Sequence, residues 1–287
     1  MILVTGATGR VGYPLLEALA DARADTTAMV RVEARAADLP GTPRHLVASL
    51  EEPPPAQVLR EFDQIFLLSP QIEEQAAVET VFLDAVAAAG HRPHIVKVCP
   101  DGFQDPDCDV RFMRAHRQVA LHLDAIGLPV TYLAAATYMD DLADEAAQIR
   151  RTGEIRAAAG AGQAGFIAAA DVALAAAKVL TTDGHEGATY LLTGPEALGY
   201  ADVAARFAAV FGWQVDYLDL PAEQARELLR ASGLDPWEAD GVIERYDWIG
   251  QGGANTVTST VRDLTGADPR PLHEWLSESR AAFADPV

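Results

Sequence analysis

Positive charge is scarce in this chain: 22 Lys and Arg stand against 42 Asp and Glu over 287 residues, a formal net charge of −20. Such a surface neither neutralises a run of nucleic acid phosphates nor lies on an anionic membrane face, which argues against nucleic acid and membrane partners. An anionic ligand has to be held locally, by a few Arg or Lys and by backbone N–H groups. Cysteine is also nearly missing. Cys99 and Cys108 alone make no disulfide framework and suit a reducing compartment. No apolar run approaches the roughly 18–20 residues of a membrane span. The opening Met1-Ile2-Leu3-Val4-Thr5-Gly6 has no basic n-region or cleavage site, so it does not read as a signal peptide. The only asparagine, Asn255, is followed by Thr256 and Val257, which removes any glycosylation acceptor. These absences predict a soluble cytoplasmic protein.

What is present is globular: 49% of residues are hydrophobic and 22% charged. The length suits one large domain or two intimate ones, with roughly three quarters of the unfolded surface buried. Short apolar runs at 2–5, 26–30, 45–48, 64–68, 94–99 and 130–133 read as strands, and helical patterns fill 13–22, 57–61, 73–89 and 110–126. This alternation predicts an α/β protein with a Rossmann-type doubly wound parallel sheet, its strands apolar because both faces are covered. Beyond residue 134 the rhythm changes. A helix over 138–150, a Gly/Ala-rich stretch over 153–165, a helix over 171–180 capped by Asp171, and a strand over 189–192 follow. Helices at 200–211, 221–232, 236–249 and 272–283 form a small, mainly helical C-terminal lobe. The expected division is 1–135 for the nucleotide-binding core and 136–287 for the remaining core elements and the substrate lobe.

The sharpest local signal is Val4-Thr5-Gly6-Ala7-Thr8-Gly9-Arg10-Val11-Gly12, which follows the first strand and opens the first helix. A dinucleotide loop needs glycine where the chain turns tightly, where backbone meets a pyrophosphate, and where helix packs on strand. Gly6, Thr8, Gly9, Arg10 and Val11 are therefore candidate cofactor contacts, the helix N-terminus adding oriented N–H groups. About twenty residues on, an NAD protein would carry an acid for the ribose 2′-hydroxyl, whereas this chain has Arg31 and Arg35, suited to a 2′-phosphate. Glu33 is the competing reading. The arginines favour NADPH over NADH.

The spelling of 2–12, Met29-Val30-Arg31, Phe66-Leu67-Leu68-Ser69-Pro70, Ile95-Val96-Lys97, the helix bearing His116, and Gly184-His185-Glu186-Gly187 before Tyr190-Leu191-Leu192-Thr193-Gly194-Pro195 resembles the NmrA-like branch of atypical short-chain dehydrogenases. Within it, the chain is similar to the type 2 quinone oxidoreductases over nearly its whole length. The resemblance implies a bound nicotinamide cofactor touched also by Ser49, Leu50, Leu68, Ser69, Pro70 and Cys99, and a substrate cleft beside the small lobe. Four departures stand out. Ser49 replaces an Asp facing the adenine, Cys99 a Ser ending the fifth strand, Ala134-Ala135 an Arg-Pro, and Ala120 a Glu.

No Tyr in the chain has Lys four residues later, so the proton-donating pair of ordinary short-chain dehydrogenases is absent. Ketone reduction wants such an acid, whereas a quinone accepts hydride to give a stabilised phenolate that takes its proton from solvent. Lys97 and His116 are the candidate catalytic side chains, Lys97 by stabilising negative charge. Phe103, Tyr138, Met139, Trp237 and Trp248 are candidates to line a pocket for a flat aromatic substrate. No metal is expected: His91 and His94 lack partners for zinc, and the run from Asp105 has Val110 and His116 where a calcium loop needs Gly and Glu. The predicted activity is NADPH-dependent hydride transfer to a quinone-like or conjugated aromatic acceptor, in specialised metabolism. The alternatives are a non-catalytic redox sensor, or an enzyme acting on a polycyclic metabolite without net hydride transfer. The oligomeric state is not legible.

Overall fold

A computed structural model describes residues 1–41 and 43–283. In chain order the elements are β1 (Ile2–Val4), α1 (Gly12–Asp21), β2 (Thr26–Val30), β3 (Arg44–Val47), α2 (Ala56–Leu59), β4 (Gln64–Leu67), α3 (Gln75–Ala88), β5 (His94–Pro100), α4 (Arg111–Ile126) and β6 (Val130–Ala135). Then come α5 (Asp141–Asp144), α6 (Ala146–Thr152), β7 (Glu154–Ala157), β8 (Gln163–Gly165), α7 (Ala169–Thr181) and β9 (Thr189–Leu192). The chain closes with β10 (Ala197–Gly199), α8 (Tyr200–Phe211), β11 (Asp216–Asp219), α9 (Ala222–Ala231), α10 (Pro236–Gly250), α11 (Thr260–Thr265) and α12 (Leu272–Glu278). None of the described helices is long and apolar enough to cross a membrane.

The elements form two compact units. The first, Met1–Gln104, Phe112–Ala134 and Ala169–Leu191, is built on a seven-stranded sheet of order β3-β2-β1-β4-β5-β6-β9. Pairings of β1 with β2 and β4, of β2 with β3, and of β4 with β5 are all parallel. Every residue of β1 and β2 is buried, as the near-continuous apolar runs require when helices cover both faces. Helix α1 turns Leu15, Leu16 and Leu19 inward, and α7, almost wholly buried and alanine-rich, packs against it. The order reverses direction between β1 and β4, and that point is where open α/β sheets bind ligands.

The second unit, Asp105–Arg111, Ala135–Ala168 and Leu192 onward, is mainly helical around a core that includes Ile149, Ile155, Phe207, Ile249 and Leu272. It also holds two small sheets: β8 with β10, antiparallel, and β7 with β11, parallel. Each unit is discontinuous in sequence: α7 and residues 189–191 of β9 return to the first, and Asp105–Arg111 belongs to the second. The strands β7 and β8 lie inside the Gly/Ala-rich stretch, whose composition disfavours strands. Close packing accounts for that composition: a Cβ on Gly162 would come within 2.3 Å of the Ile249 carbonyl oxygen.

Three expected elements are corrected. The helix over 138–150 is two short helices, α5 and α6, parted at Glu145, which caps both with φ −86° and ψ −2°. Tyr138 pairs instead with Ile167 in an isolated bridge. Asp171 is not the residue before its helix but is buried within the first turn of α7, which starts two residues earlier. The last helix ends at Glu278, and Ser279–Phe283 continues as a 3-10 turn.

Candidate functional site

Because the strands of the large sheet run parallel, their carboxyl ends share one edge, and the loops after β1, β2, β3 and β4 collect there. The loop after β1 is closed on itself. Gly6 has φ +60°, and a Cβ there would meet the Leu68 carbonyl oxygen at 2.9 Å. A Cβ on Gly12 would strike the Gly6 carbonyl oxygen at 2.1 Å, so α1 can start this close to the strand only with glycine. The Gly9 N–H donates to the Gly6 carbonyl at 2.9 Å. Thr5 Oγ1 donates to the Leu68 carbonyl and accepts from the Leu68 N–H, both at 2.9 Å, which pins this loop to the end of β4.

Thr8, Gly9 and Arg10 are exposed at the loop's crest. No side chain caps α1, and its first turn has no acidic residue. The helix end therefore offers N–H groups and its positive dipole end to an anion. A glycine crest, a tight turn and an uncapped helix fit a dinucleotide pyrophosphate. Val11 and Leu50 are buried, which limits them to main-chain contacts.

Arg31 and Arg35 follow β2 and are exposed, and neither makes an ion pair among the described residues. Glu33, the competing acid, is instead held by His45 of β3, Oε1 to Nε2 at 2.8 Å. After β3, the half-buried Ser49 accepts the Glu52 N–H at 3.0 Å and closes a tight turn. Cys99 is sealed in β5, where burial pushes its thiol up to about 12, so it is a neutral thiol and no nucleophile.

The two candidate catalytic residues lie in one buried polar network of the first unit. Lys97 is fully buried, its Nζ 2.5 Å from Oε2 of the equally buried Glu79; the two charges meet closely without hydrogen-bond alignment. Glu79 Oε1 accepts from Ser69 Oγ at 2.6 Å and from Gln75 Nε2 at 3.3 Å. Gln75 Nε2 also lies 2.9 Å from His116 Nε2. Since the amide donates, His116 accepts at Nε2 and carries its proton on Nδ1. Burial, aided by the Lys97 charge, holds the His116 imidazole well below its ordinary pKa, so the ring is neutral. Both candidate catalytic side chains are thus covered by the Gln75–Glu79 face of α3.

The aromatic candidates divide between the units. Phe103 is in the core of the first, its ring 5.2 Å from that of Tyr132, and Met139 is buried in the core of the second. Neither side chain is available to line an open pocket. Tyr138, Trp237 and Trp248 are half-buried in the second unit. The Arg111 guanidinium lies over Trp237 at 5.9 Å and the Arg245 guanidinium over Trp248 at 4.8 Å.

Gln75 and Glu79 are absent from the sequence-based candidates. A signal existed: the buried face of α3 runs Gln75, Glu79, Phe82, Leu83, Val86, so two polar residues continue an apolar stripe at helical spacing. Glu145 was missed as well, and its burial beside Asp141 and Asp144 raises its carboxyl to about 7.

A twisted parallel sheet with a glycine loop at its switch point, followed by a helical second unit, defines a Rossmann-type α/β protein of the dinucleotide-binding kind. The model of the NmrA-like family matches residues 1–239, and the chain belongs to that family. It is 33% identical to a (4-alkanoyl-5-oxo-2,5-dihydrofuran-3-yl)methyl phosphate reductase of Streptomyces griseus, with 99% of each chain covered. It is 32% identical to an NAD(P)H azoreductase of Xenophilus azovorans, again over 99% of each. Among solved structures, the NADPH complex of an NADPH-dependent quinone oxidoreductase from Escherichia coli superposes with a TM-score of 0.87. That likeness has 26% identity and covers 97% of this chain and 99% of the other.

Proposed function

We propose that this protein is an NADPH-dependent reductase that delivers hydride to a quinone-like or conjugated aromatic acceptor such as a dye. The observation that carries the reading is the pairing of an open, uncapped glycine loop with two arginines after β2 that make no ion pair among the described residues, while His45 occupies the competing Glu33. The names of full-length relatives, an NAD(P)H azoreductase and an NADPH-dependent quinone oxidoreductase, support the same class of reaction.

When bound, NADPH supplies the hydride. The chain's own residues do the rest. The Gly6–Gly12 loop and the start of α1 hold the pyrophosphate, and Arg31 and Arg35 fork onto the 2′-phosphate. Ser49 and Leu50 flank the adenosine side, Leu50 through its main chain. Neither Lys97 nor His116 hands a proton to the product, because one is locked to Glu79 and the other is neutral and enclosed. The reduced acceptor takes its proton from water, which a quinone's phenolate can do. An acceptor that leaves a strongly basic alkoxide is a poor substrate.

The test is calorimetric titration with NADPH and NADH, followed by a panel of quinones, azo dyes and simple ketones monitored at the NADPH absorbance. Oxidation with quinones or dyes and none with ketones is expected. Tight NADPH binding with no turnover on any acceptor would make the protein a sensor instead.

A further inference from the structure

Ser69 is central in the run Leu68-Ser69-Pro70 at the switch point, beside the glycine loop, to which Thr5 ties Leu68. Taking the NADPH reading above as its basis, the sheet order sets where each part of the cofactor falls. Arginines after β2 take the 2′-phosphate of the adenosine half, and the loop after β1 takes the pyrophosphate. Strands are spaced by about 4.8 Å, so the next strand along, β4, underlies the ribose on the nicotinamide side.

The hydroxyl of Ser69 has one proton. It is spent on Glu79 Oε1 at 2.6 Å; the alternative acceptor, the Pro70 carbonyl at 3.3 Å, is more distant and uncharged. Glu79 is present as a carboxylate, since one oxygen accepts from Ser69 and Gln75 and the other faces the Lys97 ammonium. The Glu79 carboxylate fixes the Gln75 amide with its nitrogen inward, and the second N–H goes to His116. Toward a ligand, Ser69 is left with lone pairs only.

We propose that Glu79, neutralised by Lys97, makes Ser69 an obligate hydrogen-bond acceptor for a hydroxyl of the nicotinamide-side ribose, so that Glu79 and Lys97 act as positioning residues for cofactor binding. The buried ion pair thereby has a use in recognition. A neutral partner in place of Glu79 could donate to Ser69 and turn its hydroxyl proton outward, opposing the ribose donor.

The experiment compares NADPH with 2′,5′-ADP, which has the adenosine ribose and 2′-phosphate but no nicotinamide ribose, by calorimetry on the full chain. Ser69→Ala is expected to weaken NADPH roughly five- to twentyfold, the size of one hydrogen bond, and to leave 2′,5′-ADP unchanged. Glu79→Gln should give the same selective loss, and the double variant should be no weaker than the weaker single. Should Glu79→Gln fail to fold, Glu79→Gln with Lys97→Met removes the uncompensated charge and is measured in its place. A merely structural part for Glu79 would weaken both ligands together and add to the Ser69→Ala loss, which would overturn the proposal. Undiminished NADPH binding by Ser69→Ala overturns it too while leaving the cofactor reading intact, and a wild type that binds neither ligand overturns both.

Discussion

At the residue scale, the glycine loop admits the plainest test. Gly9 is exposed, and the nearest atom to a Cβ there is the Gly6 carbonyl oxygen at 3.2 Å. Gly9→Asp should therefore fold, yet place a carboxylate against the pyrophosphate and abolish NADPH binding; unchanged affinity by calorimetry would remove the site. Arg31→Ala should weaken NADPH by about 1.5–3 kcal/mol, the range for a hydrogen bond to a charged group, and NADH much less. Equal losses for both would shift recognition to Glu33. His116→Ala should lower turnover by less than about tenfold, under roughly 1.4 kcal/mol of barrier, because the ring is neutral and enclosed. A thousandfold loss with intact folding would make it the acid.

Two groups, the buried His116 and the half-buried Glu145, also shape the pH dependence of stability, with opposite signs. The folded state holds His116 neutral while the unfolded ring takes a proton as pH falls through its ordinary 6.5, so this group lowers stability below about that pH. Glu145, raised to about 7, keeps its proton in the fold while the unfolded carboxyl loses it above 4.5, so stability falls as pH rises from 4.5 to about 7. Glu145→Gln should accordingly stabilise the protein near pH 8, by up to about 3 kcal/mol, and change little near pH 4. Urea midpoints at the two pH values check both sign and window. The glycine loop and the arginines were legible because each acts through its own residue type at a fixed spacing. Glu79 and Glu145 were not, because their properties come from what encloses them.

At the element scale, one contact in the second unit stands out. Glu244 of α10 accepts the Arg111 backbone N–H at 2.8 Å and its guanidinium at 2.6 Å, while Arg111 Nη1 donates to the Trp237 carbonyl at 3.1 Å. The two side chains are 19% and 32% exposed, enough shielding for the pair to count beyond an ordinary surface salt bridge. Glu244→Ala removes a backbone acceptor together with the ion pair, and should lower unfolding stability by about 1–3 kcal/mol. A midpoint shift within error would show that water replaces the carboxylate at no cost. Helix α10 itself was readable to within a residue, since Asp235 caps it with Glu238 and Pro236 opens it. The split of α5 from α6 was not, because Ala, Glu and Gln favour helix throughout, and only the packing around Glu145 ends the first turn.

At the scale of the whole molecule, the two units unfold as separate bodies or together, and a ligand of the first reports which. At a hundred times its Kd, NADPH adds about 2.7 kcal/mol to whatever binds it. Thermal scans should show a transition that rises with NADPH and rises less with equal NADH. A second transition indifferent to NADPH would mark the helical unit as an independent body. No shift with either nucleotide would contradict the cofactor reading.

The sequence alone determined the parallel sheet, the place of the glycine loop, the net acidity and the absence of a Tyr–Lys pair. These follow from residue type and from periods of two and 3.6, which a chain carries locally. Only the tertiary structure decided that Phe103 and Met139 are core, that His45 takes Glu33, that the Gly/Ala stretch contains strands, and that Lys97 of β5 meets Glu79 of α3. Each of these depends on residues distant in sequence being brought together, and burial then sets charge state and access, which no local pattern encodes.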